Sequence, residues 1–237
     1  DSLEAFCGND PQHCHVLNYT DADFAGDTTT SKSTTGGYLA IVGPNTWIPI
    51  TAICKKQSCV SHSSTESEIV AAEHTVRTEG LQILTFWENV VRLFTTDKGT
   101  THDKRRLDYL SSASRFEDDF NPRLYFNLTR PQGDKRTTFL VIAEDNEGVI
   151  KIVKKCRSVA LRHLPRTHRI DVSWLFEVCA APEIKLLHVG TKSQVADILT
   201  KAFTNVETWH HLLRIAQIVE GPDAPPTTTN KALASRS

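Results

Sequence analysis

The chain has 237 residues, of which 39% are hydrophobic and 23% are charged, a composition that can fill the core of one or two globular domains. Its formal net charge of -1 and pI near 6.9 exclude a general electrostatic attraction to nucleic acid, so any such affinity must come from a local basic patch. No apolar run approaches the roughly 20 residues that cross a bilayer, so the sequence predicts no membrane insertion.

The cysteines and the first residue bear on compartment and context. The six cysteines include no C-x-x-C pair, and no secretory signal precedes them, so we expect reduced thiols. The sequence contains no methionine and begins with Asp1, which indicates a segment of a longer polypeptide. We therefore expect a polyprotein context and an intracellular, cytoplasmic location.

The N-terminal part predicts a lead-in followed by an antiparallel meander. Residues 1–14 carry no clear period, and we interpret them as a lead-in from the preceding polypeptide. Three extended stretches follow, at residues 15–19, 38–42 and 47–54, separated by polar turns. Because Pro49 has no backbone N–H to donate, we expect the third strand to be irregular and to lie at an edge or a bulge.

The next segment has the pattern of a long helix. Apolar residues recur at spacings of three and four over Ile69–Val90, which is typical of a helix that buries one face. Ser64 or Thr65 can serve as its N-cap. Gly80 costs about 1 kcal/mol inside a helix unless it permits a close approach. A helix of this length is expected to cross the face of a sheet, as in an α/β layer.

A long polar segment interrupts the fold. Residues 95–136 are dense in charge and aperiodic, and loops of this length are unusual inside a compact domain. We interpret them as a mobile surface insertion, in which residues 124–126 can dock as a short strand.

Strands and helices alternate after the insertion. Residues 139–143 form a continuous apolar run of the kind found in a central strand. A short helix is predicted at residues 147–155, a basic connector at 157–167, a second helix around Trp174 and a last strand at 184–189.

The C-terminal part predicts two helices and a tail. A closing helix is expected over Gln194–Phe203 with Ser193 as its N-cap. Residues 204–220 form an amphipathic C-terminal helix, and residues 221–237, rich in Pro and Thr, are expected to be a disordered tail. The result is an α/β domain at residues 15–203 with the order β-β-β-α-β-α-α-β-α.

Four acidic residues follow predicted strands or begin predicted helices. They lie in the segments Tyr19–Asp23, Ser64–Glu68, Ala143–Asn146 and Val195–Lys201. Acids in such places can converge after folding, and four convergent carboxylates repel one another unless divalent cations neutralise them. The pattern predicts a site that cleaves phosphodiester bonds with two Mg²⁺ ions about 3.5–4 Å apart, or with Mn²⁺ in their place.

Spacing leaves two of these assignments open. Asp21 and Asp23 lie on the same face of their strand, so the pattern does not choose between them. Glu66 and Glu68 flank the apolar stripe of their helix on opposite sides, and geometry is again neutral. Taken alone, Asp21 could merely end a strand, and Asp197 could simply favour a helix dipole.

A local basic cluster could bind nucleic acid despite the neutral net charge. No acid occurs between Glu147 and Asp171, whereas lysines and arginines recur there: Lys151, Lys154, Lys155, Arg157, Arg162, Arg166 and Arg169. Such a cluster can track phosphates, or it can be an ordinary solvated helix face. Thr65 and Asn146, near the predicted site, could contact the 2′-hydroxyls that distinguish RNA from DNA.

Several sequence blocks occur in the order found in one family. They are Tyr19–Asp27, Lys32–Tyr38, Lys55–Gln57, Ser64–Glu68, Glu144–Asn146, Arg166–Val172 and Ala196–Lys201. With these blocks the chain resembles the ribonuclease H domain of copia-type (Pseudoviridae) LTR retrotransposon Pol polyproteins, over residues 15–203 without the insertion. Ordered blocks over such a length are a far more specific signal than any single block.

The resemblance implies a fold and a biological setting. The fold is ribonuclease H-like, with a five-stranded mixed sheet, an antiparallel meander followed by parallel strands, and flanking helices. The implied position is directly after a reverse transcriptase domain in the same polyprotein, in the context of a virus-like particle. The implied activity is endonucleolytic hydrolysis of the RNA strand of RNA·DNA hybrids during reverse transcription.

The resemblance also implies roles for the four acids. Asp21 would bridge the two ions, Glu68 and Asp145 would hold the ion near the leaving group, and Asp197 would help to hold the ion that activates water.

Within the motifs, the resemblance favours Asp21 over Asp23 and Glu68 over Glu66. The chain departs from the family at Glu147, where a glutamine is usual, and in the length of the insertion. Neither departure removes a predicted metal ligand, although an acid at Glu147 could weaken the grip on nucleic acid.

Two rival functions fit parts of the same pattern. One is a decayed or repurposed copy that binds nucleic acid without cleaving it. The other is a strand-transferring integrase core of the same superfold, which predicts DNA cutting and joining and fits the motif blocks poorly.

Overall fold

The computed structural model describes residues 2–94, 138–156 and 158–219. The predicted insertion at 95–136, with its short strand at 124–126, lies outside the described residues. So does the predicted tail at 221–237.

Within the described residues, eight strands form two sheets. Their bounds are β1 Ser2–Leu3, β2 Phe6–Cys7, β3 His15–Asp23, β4 Thr34–Gly43, β5 Thr46–Lys56, β6 Leu140–Glu144, β7 Ile184–His188 and β8 Ile218–Val219. The main sheet has six strands in the order β2-β5-β4-β3-β6-β7, and β1 pairs with β8 in a small second sheet.

The described helices surround the main sheet. Their bounds are α1 Ser64–Thr75, α2 Leu81–Phe94, α3 Glu147–Lys155, α4 Leu164–Thr167, α5 Val172–Ala180, α6 Asp197–Thr200 and α7 Val206–Ile215. A π-helical segment, Val76–Gly80, joins α1 to α2, and short 3₁₀ turns occur at Pro11–His13 and Thr191–Ser193. None of the helices in this part of the chain is long and apolar enough to cross a bilayer.

The five central strands form the predicted mixed sheet. Strands β3, β4 and β5 are antiparallel neighbours, whereas β6 pairs in parallel with both β3 and β7. The predicted irregularity of the third strand is confirmed: Leu39 pairs with Thr51 but Ala40 pairs with Pro49, which leaves Ile50 as an extra residue.

The sixth strand corrects the interpretation of residues 1–14 as a lead-in. Phe6 and Cys7 pair with Trp47 and Thr46 at the edge of β5. The side chain of Asn9 fixes this edge, since its Oδ1 accepts from the Asn45 backbone N–H at 2.6 Å. The sequence did not predict β2, because a strand of two residues is too short to show an alternating hydrophobic pattern.

The long predicted helix is present as α1 and α2, with a different N-cap and with the π-helical segment Val76–Gly80 between the two helices. Ser63, rather than Ser64 or Thr65, is the N-cap, and its side chain accepts from the Glu66 backbone N–H. Gly80 does permit a close approach, since a Cβ at this position would lie 3.1 Å from Leu140 Cδ2.

The predicted closing helix at Gln194–Phe203 is wrong. Only the single turn of α6 is helical there, and Ser193 belongs to the preceding 3₁₀ turn. The physical reason is the buried Gln194 side chain, whose Nε2 donates to the Thr20 carbonyl at 3.0 Å. This tertiary bond holds Gln194 in an extended backbone conformation, so the helix starts only at Asp197.

The core lies on both faces of the sheet. Leu17 belongs to the hydrophobic cluster that α7 closes through Leu212. Its neighbour Val16 belongs to the cluster that α2 closes through Trp87. A third cluster joins α1 to α3, α4 and α5. Alternation along β3 therefore packs helices against both faces, as in a three-layer α/β domain.

Candidate active site

Three of the four predicted acids meet at one end of the sheet. One carboxylate oxygen from each of Asp21, Glu68 and Asp145 lies within 4.8 Å of the others. Asp21 is 1% exposed and Glu68 is 6% exposed, so both carboxylates lie largely out of water. We call these three residues the carboxylate triad.

Strand register explains the meeting of the two aspartates. Strands β3 and β6 run parallel, and Tyr19 pairs with Ala143. Asp21 and Asp145 each lie two residues beyond this pair, so they reach the same end of the sheet on adjacent strands. Glu68 comes from the second turn of α1, which packs on β3.

Polar contacts on both sides of Asp145 hold the turn that follows β6 in place. The Asn146 backbone N–H donates to Glu144 Oε1 at 3.0 Å, and His188 Nε2 lies 3.2 Å from the Asp145 carbonyl oxygen. Asn146 Oδ1 accepts from the Gly148 backbone N–H at 2.8 Å and so caps α3. With the carbonyl engaged in the cap, the amide group of Asn146 is the part that can donate to a ligand.

The fourth predicted acid, Asp197, reaches the triad through a lysine. Lys201 Nζ lies 2.7 Å from Asp197 Oδ1 and 3.2 Å from Asp21 Oδ1. Thr200 Oγ1 donates to the other oxygen of Asp21. Asp197 is 4% exposed and stands beside Asp21, although it is not part of the triad.

Burial and mutual repulsion disfavour the charged forms of these acids. Burial, together with the charges of Glu144 and the other acidic neighbours, raises the pKa of Glu68 far above its usual range. Burial and the charge of Asp21 likewise raise the pKa of Asp145. Burial and Asp21 raise the pKa of Asp197 to about 7, against the opposing effect of Lys201.

Lys201 keeps its positive charge in this setting. Burial opposes that charge, but the hydrogen bond to Asp197 and the charges of Asp21 and Asp197 outweigh it and raise the Lys201 pKa. The ammonium group is therefore a fixed cation among the acids.

The residues fit a divalent cation by their chemistry. Glu68 Oε2 and Glu144 Oε2 are buried and have no hydrogen-bond partner within the described part of the chain. An unpartnered buried carboxylate oxygen is costly, and a bound cation would remove that cost. Three hard oxygen donors that converge in this way suit Mg²⁺ or Mn²⁺.

The structure places the two alternative acids, Glu66 and Asp23, outside the triad. Glu66 turns away from the triad: its Oε1 lies 3.3 Å from His163 Nε2 and 3.8 Å from His168 Nδ1. Asp23 is partly buried at the end of β3 and likewise lies outside the triad.

An open cavity of about 430 Å³ contains the triad. Asn146, Glu147, Gly148 and Lys201 complete its lining. Glu147, the departure from the family, forms an ion pair of 2.7 Å with Lys151 at the surface.

The predicted nucleic-acid contacts fall into two groups. Thr65 lies in the first turn of α1, and its Oγ1 would be 3.5 Å from a Cβ at Gly148, so it stands next to the cavity. The basic side chains are solvent-exposed on α3 and around α4: Lys151, Lys154, Lys155, Arg162, Arg166 and Arg169. Arg157 lies outside the described residues. A role of these residues in binding stays a prediction.

Sequence reasoning missed Lys201, Thr200 and Glu144 as parts of the site. Lys201 was visible as the base four residues after Asp197, a spacing that permits an ion pair. Glu144 precedes Asp145 directly, but strand alternation predicts that its side chain points away from that of Asp145. The burial of Glu144 beside Glu68 becomes apparent only once α1 is packed.

Comparisons with known proteins found a similar curated sequence and a similar solved structure. No family model matches the chain. A curated relative, the Retrovirus-related Pol polyprotein from transposon TNT 1-94 of Nicotiana tabacum, is 27% identical over 198 residues. The match covers 83% of this chain and 11% of the relative, so the chain spans about a tenth of that polyprotein.

A solved structure is also similar. It is LC11-RNase H1, isolated from compost by a metagenomic approach, with 12% identity and a TM-score of 0.39 over 78% of this chain and 92% of that one. The match to a retrotransposon Pol polyprotein agrees with the resemblance that the ordered sequence blocks carry, and the mixed sheet agrees with the fold expected from that resemblance.

Proposed function

We propose that the chain cleaves the RNA strand of RNA·DNA hybrids endonucleolytically during retrotransposon reverse transcription, using two divalent metal ions. The observation that carries this proposal is the convergence of Asp21, Glu68 and Asp145 from β3, α1 and the end of β6. The oxygen donors match the preference of Mg²⁺, and Mn²⁺ is a second candidate.

The metal ligands divide between two positions. The triad would hold one ion, and Asp21 with Asp197 would hold the other. When bound, such ions activate a water molecule and neutralise charge on the attacking and leaving oxygens. The Asn146 backbone bond to Glu144 and the contact of His188 with the Asp145 carbonyl keep the Asp145 turn in place.

Polar groups at the cavity would distinguish RNA from DNA. The Thr65 hydroxyl and the Asn146 amide can hydrogen-bond a ribose 2′-hydroxyl, which DNA lacks. The exposed lysines and arginines on α3 and around α4 would contact the phosphates and make binding salt-dependent.

The biological setting is part of the same proposal. The curated relative is a Pol polyprotein, and this chain matches about a tenth of it. The proposed partners are an RNA·DNA hybrid and the reverse transcriptase domain of the same polyprotein. The proposed location is intracellular, in the cytoplasm or in virus-like particles.

A cleavage assay tests the proposal. Labelled RNA·DNA hybrid, single-stranded RNA and duplex DNA are incubated with the protein and Mg²⁺, alongside an Asp145→Asn variant. We expect cleavage of the hybrid RNA alone, reduced in the variant by more than the roughly 10–100-fold typical of losing an outer-shell partner. A folded protein that binds the hybrid without cutting it would instead support the noncatalytic binding module.

A further inference from the structure

We propose that Lys201 occupies the position of a second cation between Asp21 and Asp197, so that one divalent ion binds readily at the triad and a second binds only when this lysine moves away. This inference rests on the proposed function, because it takes the triad as the site of the first ion.

The contacts of Lys201 are those of a cation between two ligands. Its Nζ lies 2.7 Å from Asp197 Oδ1 and 3.2 Å from Asp21 Oδ1. Thr200 Oγ1 donates to the remaining oxygen of Asp21. Both oxygens of Asp21 are therefore in contact with donors before any metal binds.

The charges at the cavity explain why the lysine sits there. Among the described residues that line the cavity, Lys201 is the one base and faces the acids Asp21, Glu68, Asp145 and Glu147. Asp197 lies beyond it and is 4% exposed. Removing carboxylates from water without a counter-charge is strongly unfavourable, so the ammonium stabilises the metal-free fold.

The same charge opposes a second metal ion. A divalent ion bound by Asp21 and Asp197 would need the oxygens that Lys201 now contacts, and two cations of like sign repel at such distances. Within the triad, Lys201 contacts Asp21, whereas Glu68 Oε2 has no hydrogen-bond partner among the described residues and is open to the first ion. Metal binding should therefore proceed in two separate steps.

Lys201 can leave without a change in the fold. Its side chain is 38% exposed, whereas those of Asp21 and Asp197 are 1% and 5% exposed. Lysine carries its charge on a flexible four-carbon stem, so rotation about side-chain bonds can move the ammonium group into solvent. The second ion would then find both aspartates already in place.

A metal titration without nucleic acid tests this inference independently of activity. Metal-free protein is titrated with Mg²⁺ and with Mn²⁺ in a calorimeter, for the wild type and for Lys201→Gln, Lys201→Arg and Lys56→Gln. Lys56 is a matched control, because it pairs with Asp27 away from the site and its loss changes the net charge equally.

The inference predicts a specific pattern of affinities. The wild type, Lys201→Arg and Lys56→Gln should bind a second ion at least about tenfold more weakly than the first. Lys201→Gln should tighten the second site by on the order of tenfold, because an uncharged side chain no longer competes. Equal second-site affinity in the wild type and in Lys201→Gln would overturn the inference. Failure of the wild type to bind even one ion would overturn the proposed metal site as well.

A measurement on the wild-type side chain covers the case in which Lys201→Gln does not fold. Lysine ε-carbons are labelled with ¹³C, and the Lys201 resonance is assigned by its loss in Lys201→Arg. During a Mg²⁺ titration this resonance should shift slightly as the first ion binds to Asp21 beside it, and much more as the second ion displaces the ammonium into solvent. A Lys201 resonance that does not shift at saturating Mg²⁺ would contradict the inference.

Discussion

At the scale of single residues, Asp145 links the strand register to the carboxylate triad. Its carboxylate contributes to the triad, and its neighbours Glu144 and Asn146 fix the turn around it. The sequence placed Asp145 at a strand end, and the structure brings it beside Asp21 through the parallel register of β3 and β6. The spacing of Lys201, four residues after Asp197, predicts their ion pair, but nothing in the local sequence shows that Lys201 also contacts Asp21.

Removing the charge of Asp145 should stabilise the metal-free protein. Burial and the charge of Asp21 raise the pKa of Asp145 in the folded state, so folding favours its protonated form. The folded protein therefore loses stability as the pH rises from the unfolded pKa of about 3.9 through the higher folded pKa. In EDTA at pH 8, Asp145→Asn should be more stable by about 1 kcal/mol, or roughly 2–4 °C in Tm.

Thermal melts at pH 4 and pH 8, with EDTA or with Mg²⁺, check this prediction. The gain of Asp145→Asn over the wild type should shrink as the pH falls toward pH 4, because protonation progressively removes this charge from the wild type. Mg²⁺ should raise the Tm of the wild type much more than that of the variant. A variant that is less stable than the wild type in EDTA at pH 8 would contradict the electrostatic account.

A matched pair of glutamates tests which residue of α1 binds metal. Glu66 contacts His163, whereas Glu68 belongs to the triad. Glu68→Gln should lose most of the Mg²⁺-induced rise in Tm, because it removes a charged ligand. Glu66→Gln should keep that rise, since its side chain faces away. The melting shift at saturating Mg²⁺ measures both, and loss of the shift in Glu66→Gln alone would reverse the assignment.

At the scale of elements, tertiary contacts overrode local pattern where the sequence prediction was wrong. The closing helix was predicted from a capping residue and an apolar run, but the bond from Gln194 to the Thr20 carbonyl keeps Gln194 extended, so the helix starts only at Asp197. Long elements with many repeats of their period, such as α1 and α2, were predicted correctly because their signal adds over several turns.

Gly36 shows how closely α6 packs on the sheet. It pairs with Asp21 across β3 and β4, and a Cβ there would lie 2.5 Å from Thr200 Cγ2 and 3.0 Å from the Ala196 carbonyl oxygen. Gly36→Ala should therefore push α6 outward and destabilise the fold by about 1–3 kcal/mol. Gly190→Ala is the control, because no atom lies within 4 Å of a Cβ at that position.

Urea unfolding of the two glycine variants measures this effect. We expect a lower midpoint for Gly36→Ala and a midpoint near that of the wild type for Gly190→Ala. Because α6 carries Asp197 and Thr200, Gly36→Ala should also weaken binding of the second metal ion. An unchanged midpoint in Gly36→Ala would show that α6 does not pack as tightly as the structure indicates.

At the scale of the whole molecule, the sequence was sufficient for the fold class and for the order of the main strands along the chain. Alternating and helical periods predicted the elements and the antiparallel meander, and the resemblance implied the mixed sheet with parallel strands that the structure shows. The added edge strand at Phe6–Cys7 and the pairing of β1 with β8 were not predictable, since two-residue strands depend on partners distant in sequence. The same holds for the site: the sequence identified the candidate acids, but their convergence depends on how the strands and α1 pack together.

Metal-dependent cleavage at the triad is tested most directly by the fate of the RNA strand in a labelled RNA·DNA hybrid with Mg²⁺. We expect internal RNA cuts by the wild type, no cuts in EDTA, and a loss well beyond tenfold in Asp145→Asn, with duplex DNA and single-stranded RNA left intact. Equal cleavage by the wild type and Asp145→Asn would contradict the claim that the triad holds the catalytic metal.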